Sequence, residues 1–353
     1  MSKYLSGAYR SLVPYEPGEQ PKIDNLIKLN TNESPFPPSP VAIEEGAKEL
    51  SRLQLYPDPE NARLREAIAE NLGFGITKEE VFAGNGSDEV LFLAFNAFKD
   101  KGFAFPDITY VFYPVYANMA FAPYVEIPLK EDFTVDFSAL KAQKGTIFLA
   151  NPNAPTGIFA PLSEIRALLE SDPERVVVVD EAYVDFGGES AVGLVKEYDN
   201  LLVTRTFSKS RSLAGARLGF GVGNAALIRD LNLLKYSINP YNVNRVTAAM
   251  GYGALKDEAY TKANCAAIQR NRERLAKAIE AFGFSSLPSA ANFIFVRHEK
   301  LSGEAIYKAL REKRILVRYF NKERLRPFVR ITIGNEEQTT ILIDAMKRVA
   351  EGI

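Results

Sequence analysis

The sequence predicts an α/β protein, with a large domain built on a mostly parallel sheet between helices and a smaller α+β domain behind it. Three observations carry this. Up to about residue 245, short apolar runs alternate with helical patterns, the order that a parallel sheet with crossover helices produces. Several runs, Val176 to Val179 above all, are apolar without interruption, as strands covered on both faces are. Beyond residue 245, long charged helical stretches are set apart from a few strand-like runs, which is α+β character. The 353 residues suit about two domains of roughly 100–200 residues each.

Residues 1–40 are rich in proline and polar residues, with "NESPFPPSP" from Asn32 to Pro40, and read as an irregular arm that packs on the small domain or a partner subunit. "YPDPENARLREAIAENLG" reads as a helix. Asp58 is its cap, Pro59 its first residue and Gly73 its stop, with Leu64, Ile68 and Leu72 along one face. Strands are expected at 102–105, 146–150, 175–180, 201–206 and 218–223, and a helix around "EIRALL" with Ile165, Leu168 and Leu169 on one face. This is the large domain, 41–245. The small domain, 246–353, opens with a long charged helical segment. "ANFIFVR", a helix around "GEAIYKALREK", "ILVRYF", "FVRITIG" and a last helix follow.

Composition narrows the chemistry. There are 43 basic and 44 acidic residues, a net charge of −1, which argues against nucleic acid or an anionic membrane as partner. One cysteine, Cys265, and one histidine, His298, argue against disulfides and metal centres. His298 lies in a polar stretch that reads as a surface turn. With no signal-like or membrane-spanning run, the expectation is a cytoplasmic protein.

Three segments carry candidate chemistry. Asp180 ends "VVVVD" and so sits at the carboxyl end of a buried strand, where open α/β sheets bind ligands. Tyr183 follows three residues on, within reach of the same site. Lys209 follows the next strand, between Ser208 and Ser210, with Thr206 before it and Arg217 after it. A partly desolvated lysine is a nucleophile for carbonyls, and hydroxyls with an arginine make a phosphate site. In "AGNGSDEVLFLAF", glycines 84 and 86 lead into Ser87, Asp88 and a helix whose N-terminus attracts an anion. Neither dinucleotide nor P-loop fingerprint occurs. A reactive lysine, a buried carboxylate and an anion cradle are together what pyridoxal 5'-phosphate requires.

The order of "NPNAPTG" (151–157), "DEAYVDF" (180–186) and "TFSKSRSLAGARLGF" (206–220) resembles the fold-type I aminotransferases over nearly the whole chain. Within them "LVPYEPG", "IKLNTNESPFPPSP", "YPDP", "GNGSDE", "ILVR" and "FVRITIG" are similar to the histidinol-phosphate aminotransferase branch. The resemblance implies that Lys209 carries the cofactor covalently and shuttles the substrate proton, that Asp180 pairs with the ring nitrogen, and that Tyr183 donates to the phenolic oxygen. It implies that Tyr110 stacks on the ring. Gly86, Ser87, Asp88, Thr206, Ser208 and Arg217 surround the phosphate. Tyr56 reaches the neighbouring subunit's site in a homodimer. Where many relatives have an asparagine before "PTG", this chain has Ala154, so Asn153, Asn151 or Tyr183 alone must serve the phenolic oxygen. Arg318 and Arg330, with Tyr15 and Asn32 nearby, are implied to hold the substrate's phosphate. The reaction implied is exchange of an amino group between histidinol phosphate and 2-oxoglutarate. Transamination of aromatic amino acids, a lyase of the threonine-phosphate decarboxylase kind, and a cofactor-binding regulator without turnover remain as alternatives.

Overall fold

The structure, a computed structural model, describes residues 2–10, 12–15, 17–22 and 24–352. The expected arm therefore contains Met1, Ser11, Glu16 and Ile23, which lie outside the described residues.

A seven-stranded sheet forms the centre. Its strands run in the order Val81–Gly84, Gly219–Gly223, Leu201–Thr206, Val177–Asp180, Thr146–Ala150, Phe103–Pro106 and Tyr124–Ile127. All are parallel except Gly219–Gly223, which runs antiparallel to both neighbours. Val177, Val178 and Val179 are fully buried, because helices cover both faces of the sheet, as the uninterrupted valines require. Helix Leu162–Glu170 buries Ile165, Leu168 and Leu169 against it. Helix Gly86–Ala97 buries Leu91, Ala94 and Phe95.

A second, antiparallel sheet has the order Arg318–Tyr319, Phe328–Thr332, Phe293–His298 and Phe284–Ser286. The arm joins this side of the molecule. Ile27–Lys28 pairs in parallel with Ile315–Leu316, and Leu29 lies in the same hydrophobic core as Ile294, Val329 and Leu342.

Several expectations shift. The helix expected from Pro59 begins at Ala62. Asp58 still caps, but its carboxylate accepts from the N–H groups of Glu60 and Ala62 in the turn before the helix. The strand expected from Arg175 begins at Val177, since the Arg175 N–H closes a turn on the Asp172 carbonyl, and its guanidinium binds the carbonyls of Lys141, Gln143 and Leu168. Strands Val81–Gly84 and Tyr124–Ile127 were not expected. The long helical segment is two helices, Arg245–Lys256 and Glu258–Glu280. Val243, Ala254 and Leu255 belong to the core of the large sheet, whereas Cys265 and Ile268 belong to that of the small one. The two cores thus part near Asp257, later than residue 245. His298 is no surface residue. It is buried in strand Phe293–His298, with Nε2 against the Phe282 carbonyl and Nδ1 accepting from the N–H groups of Lys300 and Leu301.

Candidate active site

The carboxyl ends of Thr146–Ala150, Val177–Asp180 and Leu201–Thr206 open into a cavity of about 320 Å3, which Asp180, Tyr183, Ser208, Lys209 and Arg217 help to line. A second cavity of about 160 Å3 adjoins it and shares Thr31, Tyr110, Ala154, Tyr183 and Lys209.

Asp180 lies at the floor, only 5 % exposed. Its carboxylate accepts from the hydroxyls of Tyr113 and Thr204, each at 3.2 Å. Both donors are neutral. Burial pushes the acid up to about 6, against the pull of those hydrogen bonds. Tyr113 had no signal in the sequence that set it apart. It is fully buried, with its own ionisation pushed far up by burial and by Asp180. Glu181, next along the chain, points the other way. It accepts from Ser190 and the Ala191 N–H, and burial raises it to about 7.

Lys209 Nζ lies 3.4 Å from the Thr31 carbonyl and 5.9 Å from the Tyr183 ring centroid. Its loop is pinned on each side. Ser208 N–H donates to the Thr206 hydroxyl at 3.1 Å, and the Ser210 hydroxyl donates to Asp185, which also pairs with Arg205. Two arginines, Arg205 and Arg211, hold the Asp185 carboxyl low despite its burial.

The anion cradle forms where helix Gly86–Ala97 starts. The side chain of its N-cap residue Asn85 makes no bond to the first-turn amides, while Asn85's own N–H donates to the Glu89 carboxylate at 2.7 Å, which leaves the first turn to a ligand. Ser87 lines the cavity. Gly86 does not, but a Cβ there would come within 2.6 Å of the Arg217 guanidinium. Asp88, expected at the phosphate, lines the same cavity with both carboxylate oxygens engaged. One oxygen accepts from the Tyr110 hydroxyl at 2.7 Å and the other from Arg217 at 2.8 Å, so it orients those two groups.

At the far end stand Arg318 and Arg330, directly opposite each other across neighbouring strands. Both line the second cavity with Tyr15 and Asn32. Arg330 donates from Nη2 to the Asn30 carbonyl at 3.0 Å, and its Nε is buried without a partner. Burial pulls its pKa down, and the neighbouring Arg318 cation pulls the same way.

Three expected residues lie elsewhere. Asn153 does not line the cavity. Its amide donates to the Ile108 carbonyl and Thr156 and accepts from Thr109, while Pro152 and Ala154 on either side face the site. Asn151 is likewise held by Ala160. The phenolic-oxygen role is thus not available to either. Tyr56 lines neither of the two cavities. It is 77 % exposed and stacks on Tyr241 at 4.6 Å.

Pyridoxal phosphate fits this constellation. A buried carboxylate held by neutral hydroxyls matches a protonated ring nitrogen, helix amides with Arg217 and Ser208 match a phosphate, and Lys209 lines the same cavity. Fold and site together are those of a pyridoxal-phosphate enzyme of the α/β class.

Comparison with known proteins agrees. Residues 24–346 match the family model described as aminotransferase class I and II. The chain is 48 % identical to histidinol-phosphate aminotransferase 1 of Hydrogenovibrio crunogenus, over 98 % of each chain. It is 50 % identical to histidinol-phosphate aminotransferase of Chromohalobacter salexigens, over 99 % of each. Its fold superimposes on histidinol-phosphate aminotransferase of Sinorhizobium meliloti, solved in complex with pyridoxal-5'-phosphate, with a TM-score of 0.89 at 23 % identity, covering 100 % of this chain and 99 % of that one. The chain belongs to the class I and II aminotransferases.

Proposed function

We propose that the protein is a pyridoxal-phosphate-dependent transaminase that converts histidinol phosphate and 2-oxoglutarate into imidazole-acetol phosphate and glutamate. The observation that carries the substrate is the pair Arg318 and Arg330 on one cavity, Arg330 with a buried, unpartnered Nε. A phosphate dianion has the charge and the oxygens for two guanidinium groups, whereas one bidentate arginine satisfies a carboxylate. The near-full-length relatives at 48 % and 50 % identity bear the matching name.

When bound, the cofactor supplies an electron sink for the substrate's Cα. The chain's residues supply the rest. Lys209 anchors the cofactor aldehyde and moves the proton at the substrate's Cα. Asp180 holds the ring nitrogen's proton, stiffened by Tyr113 and Thr204. Tyr183 holds a proton at its hydroxyl toward the phenolic oxygen, and Tyr110 stands beside the ring. Ser87, Thr206, Ser208 and Arg217 bind the phosphate, with Gly86 giving Arg217 its room and Asp88 its orientation. Tyr15 and Asn32 flank the substrate.

The working unit in this reading is a homodimer in the cytoplasm. Leu50, Leu53 and Leu55, each more than half exposed, surround the segment leading to Tyr56, and Leu233 and Ile238 are 67 % and 64 % exposed. An apolar surface of that kind is the mark of an interface, and it would present Tyr56 to the neighbouring site. The arm, the large sheet up to Lys256 and the segment after it would be the three structural parts.

A panel of amino donors tests the function. Histidinol phosphate should be used in preference to phenylalanine and tyrosine, with glutamate as product. A preference for the aromatic amino acids would move the substrate assignment, and release of carbon dioxide would mark a lyase.

A further inference from the structure

We infer that Asn32 is a positioning residue, which fixes the direction of the Tyr183 hydroxyl proton. This rests on the proposed role of Tyr183 as donor to the cofactor's phenolic oxygen. Asn32 is 1 % exposed and sits at φ 55°, a left-handed conformation that asparagine tolerates better than most residues. Every polar group it has is engaged. Its backbone N–H donates to the Thr332 hydroxyl at 3.0 Å, and that hydroxyl donates to the Asn32 side-chain oxygen at 3.0 Å. Its carbonyl accepts from Asn292 at 3.1 Å. The side-chain oxygen thus faces Thr332 and the amide nitrogen faces Tyr183, donating to its hydroxyl at 2.9 Å.

The consequence is one of polarity. An amide NH2 has donors only, so the Tyr183 hydroxyl accepts from Asn32 and must aim its own proton elsewhere. Tyr183 lines both cavities, and that is where the proton is free to go. Ala154, against whose cluster Tyr183 packs, and Asn153, turned away, contribute no side-chain donor there. Asn32 thus keeps Tyr183 a donor toward the site, and it does so from the arm, through Thr332, two residues after Arg330.

The pH titration of the holoenzyme's visible absorbance tests this, because it reports proton affinity at the cofactor. A hydrogen bond donated to an anionic oxygen favours the ionised form, so losing it raises the midpoint. Tyr183→Phe should raise it by about one to two pH units, the equivalent of a hydrogen bond to a charged group. Asn32→Gly, chosen because glycine accepts the positive φ, should raise it by about half a unit or more. In the Tyr183→Phe background it should add nothing. Asn32→Asp keeps the shape but accepts from Tyr183, and in the Tyr183-containing enzyme should raise the midpoint at least as far as Asn32→Gly. A shift with Tyr183→Phe but none with either Asn32 variant overturns the inference and leaves the role of Tyr183 standing. An unmoved midpoint in Tyr183→Phe overturns that role and the inference with it. An equal shift from Asn32→Gly with and without Tyr183 makes Asn32 a contact of its own and also overturns it.

Discussion

Arg318 and Arg330 face one cavity from paired strands, and a second guanidinium matters only to an anion with oxygens to spare. A hydrogen bond to a charged group contributes roughly 1.5–3 kcal/mol. Arg318→Ala should therefore weaken histidinol phosphate by about ten- to a hundredfold in KM. It should leave phenylalanine almost unchanged, since a carboxylate needs Arg330 alone. Equal losses for both donors in steady-state assays would make Arg318 structural. Lys209 carries the other residue-scale prediction. Borohydride reduction of the holoenzyme followed by peptide mapping should place the pyridoxyl group on Lys209. Lys209→Ala should keep the cofactor through its phosphate contacts yet not turn over, and label on another lysine would sink the assignment. Lys209 and Asp180 were legible in the sequence because each ends or follows a buried strand, and Arg217 because it follows a run of hydroxyls. Tyr113 was not, since nothing in "PDITYVFYPVY" tells which tyrosine turns inward to a carboxylate 67 positions away. Asn153 misled for a related reason. Its neighbours Pro152 and Ala154 face the site while its own amide is satisfied behind it, and a string of letters does not say which side of a loop is which.

The elements place these residues by close approach. Strand Gly219–Gly223 runs so near the start of helix Gly86–Ala97 that a Cβ on Gly219 would lie 2.2 Å from the Ser87 backbone nitrogen. Gly86 has φ 79°, and a Cβ there would strike Arg217. Left-handed backbone costs a non-glycine residue roughly 1–2 kcal/mol, and the Arg217 guanidinium would also be displaced from the cradle. Gly86→Ala should thus weaken cofactor retention at least about fivefold, as measured by absorbance after dialysis, while the far-ultraviolet circular dichroism stays that of the native protein. Unchanged retention would mean that Arg217 has another way to reach the phosphate. The central strands and helix Leu162–Glu170 could be read because both their faces, or one clean stripe, are apolar. Val81–Gly84 was missed because "VFAG" is short and ends in the glycine that reads as a turn. Tyr124–Ile127 was missed because it is an edge strand with two exposed residues. "ILVRYF" reads as one strand, yet it serves two sheets. Ile315–Leu316 pairs with the arm and Arg318–Tyr319 with Phe328–Thr332, a division set by partners far away in the chain.

At the scale of the whole molecule, the apolar surface around Tyr56 and the buried acids lead to separate expectations. Leu53→Asp, at a position 57 % exposed, should turn a dimer into monomers by sedimentation and lose cofactor, because Tyr56 would no longer reach the neighbouring site. A wild-type monomer in solution would remove Tyr56 from the mechanism. The acids govern how stability responds to pH. Burial lifts Asp180 from 3.8 to about 6 and Glu181 from 4.5 to about 7. In the unfolded chain both ionise near pH 4, while in the folded chain each keeps its proton until its raised pKa. Between these limits the folded state binds more protons, so stability falls as pH rises through the window and the loss is complete above about pH 7. For Asp180 the shift corresponds to about 3 kcal/mol. In the proposed reading cofactor binding would cancel that part alone, since it would set a cation beside Asp180, whereas Glu181 faces Ser190 and Arg205 on the other side. The melting temperature of the holoenzyme should therefore exceed that of the apoenzyme by a margin that widens from pH 5 to pH 8, and Asp180→Asn should flatten the apoenzyme's decline over the same range. A margin that stays constant, measured by calorimetry at saturating cofactor, would mean that Asp180 meets no cation when the site is filled.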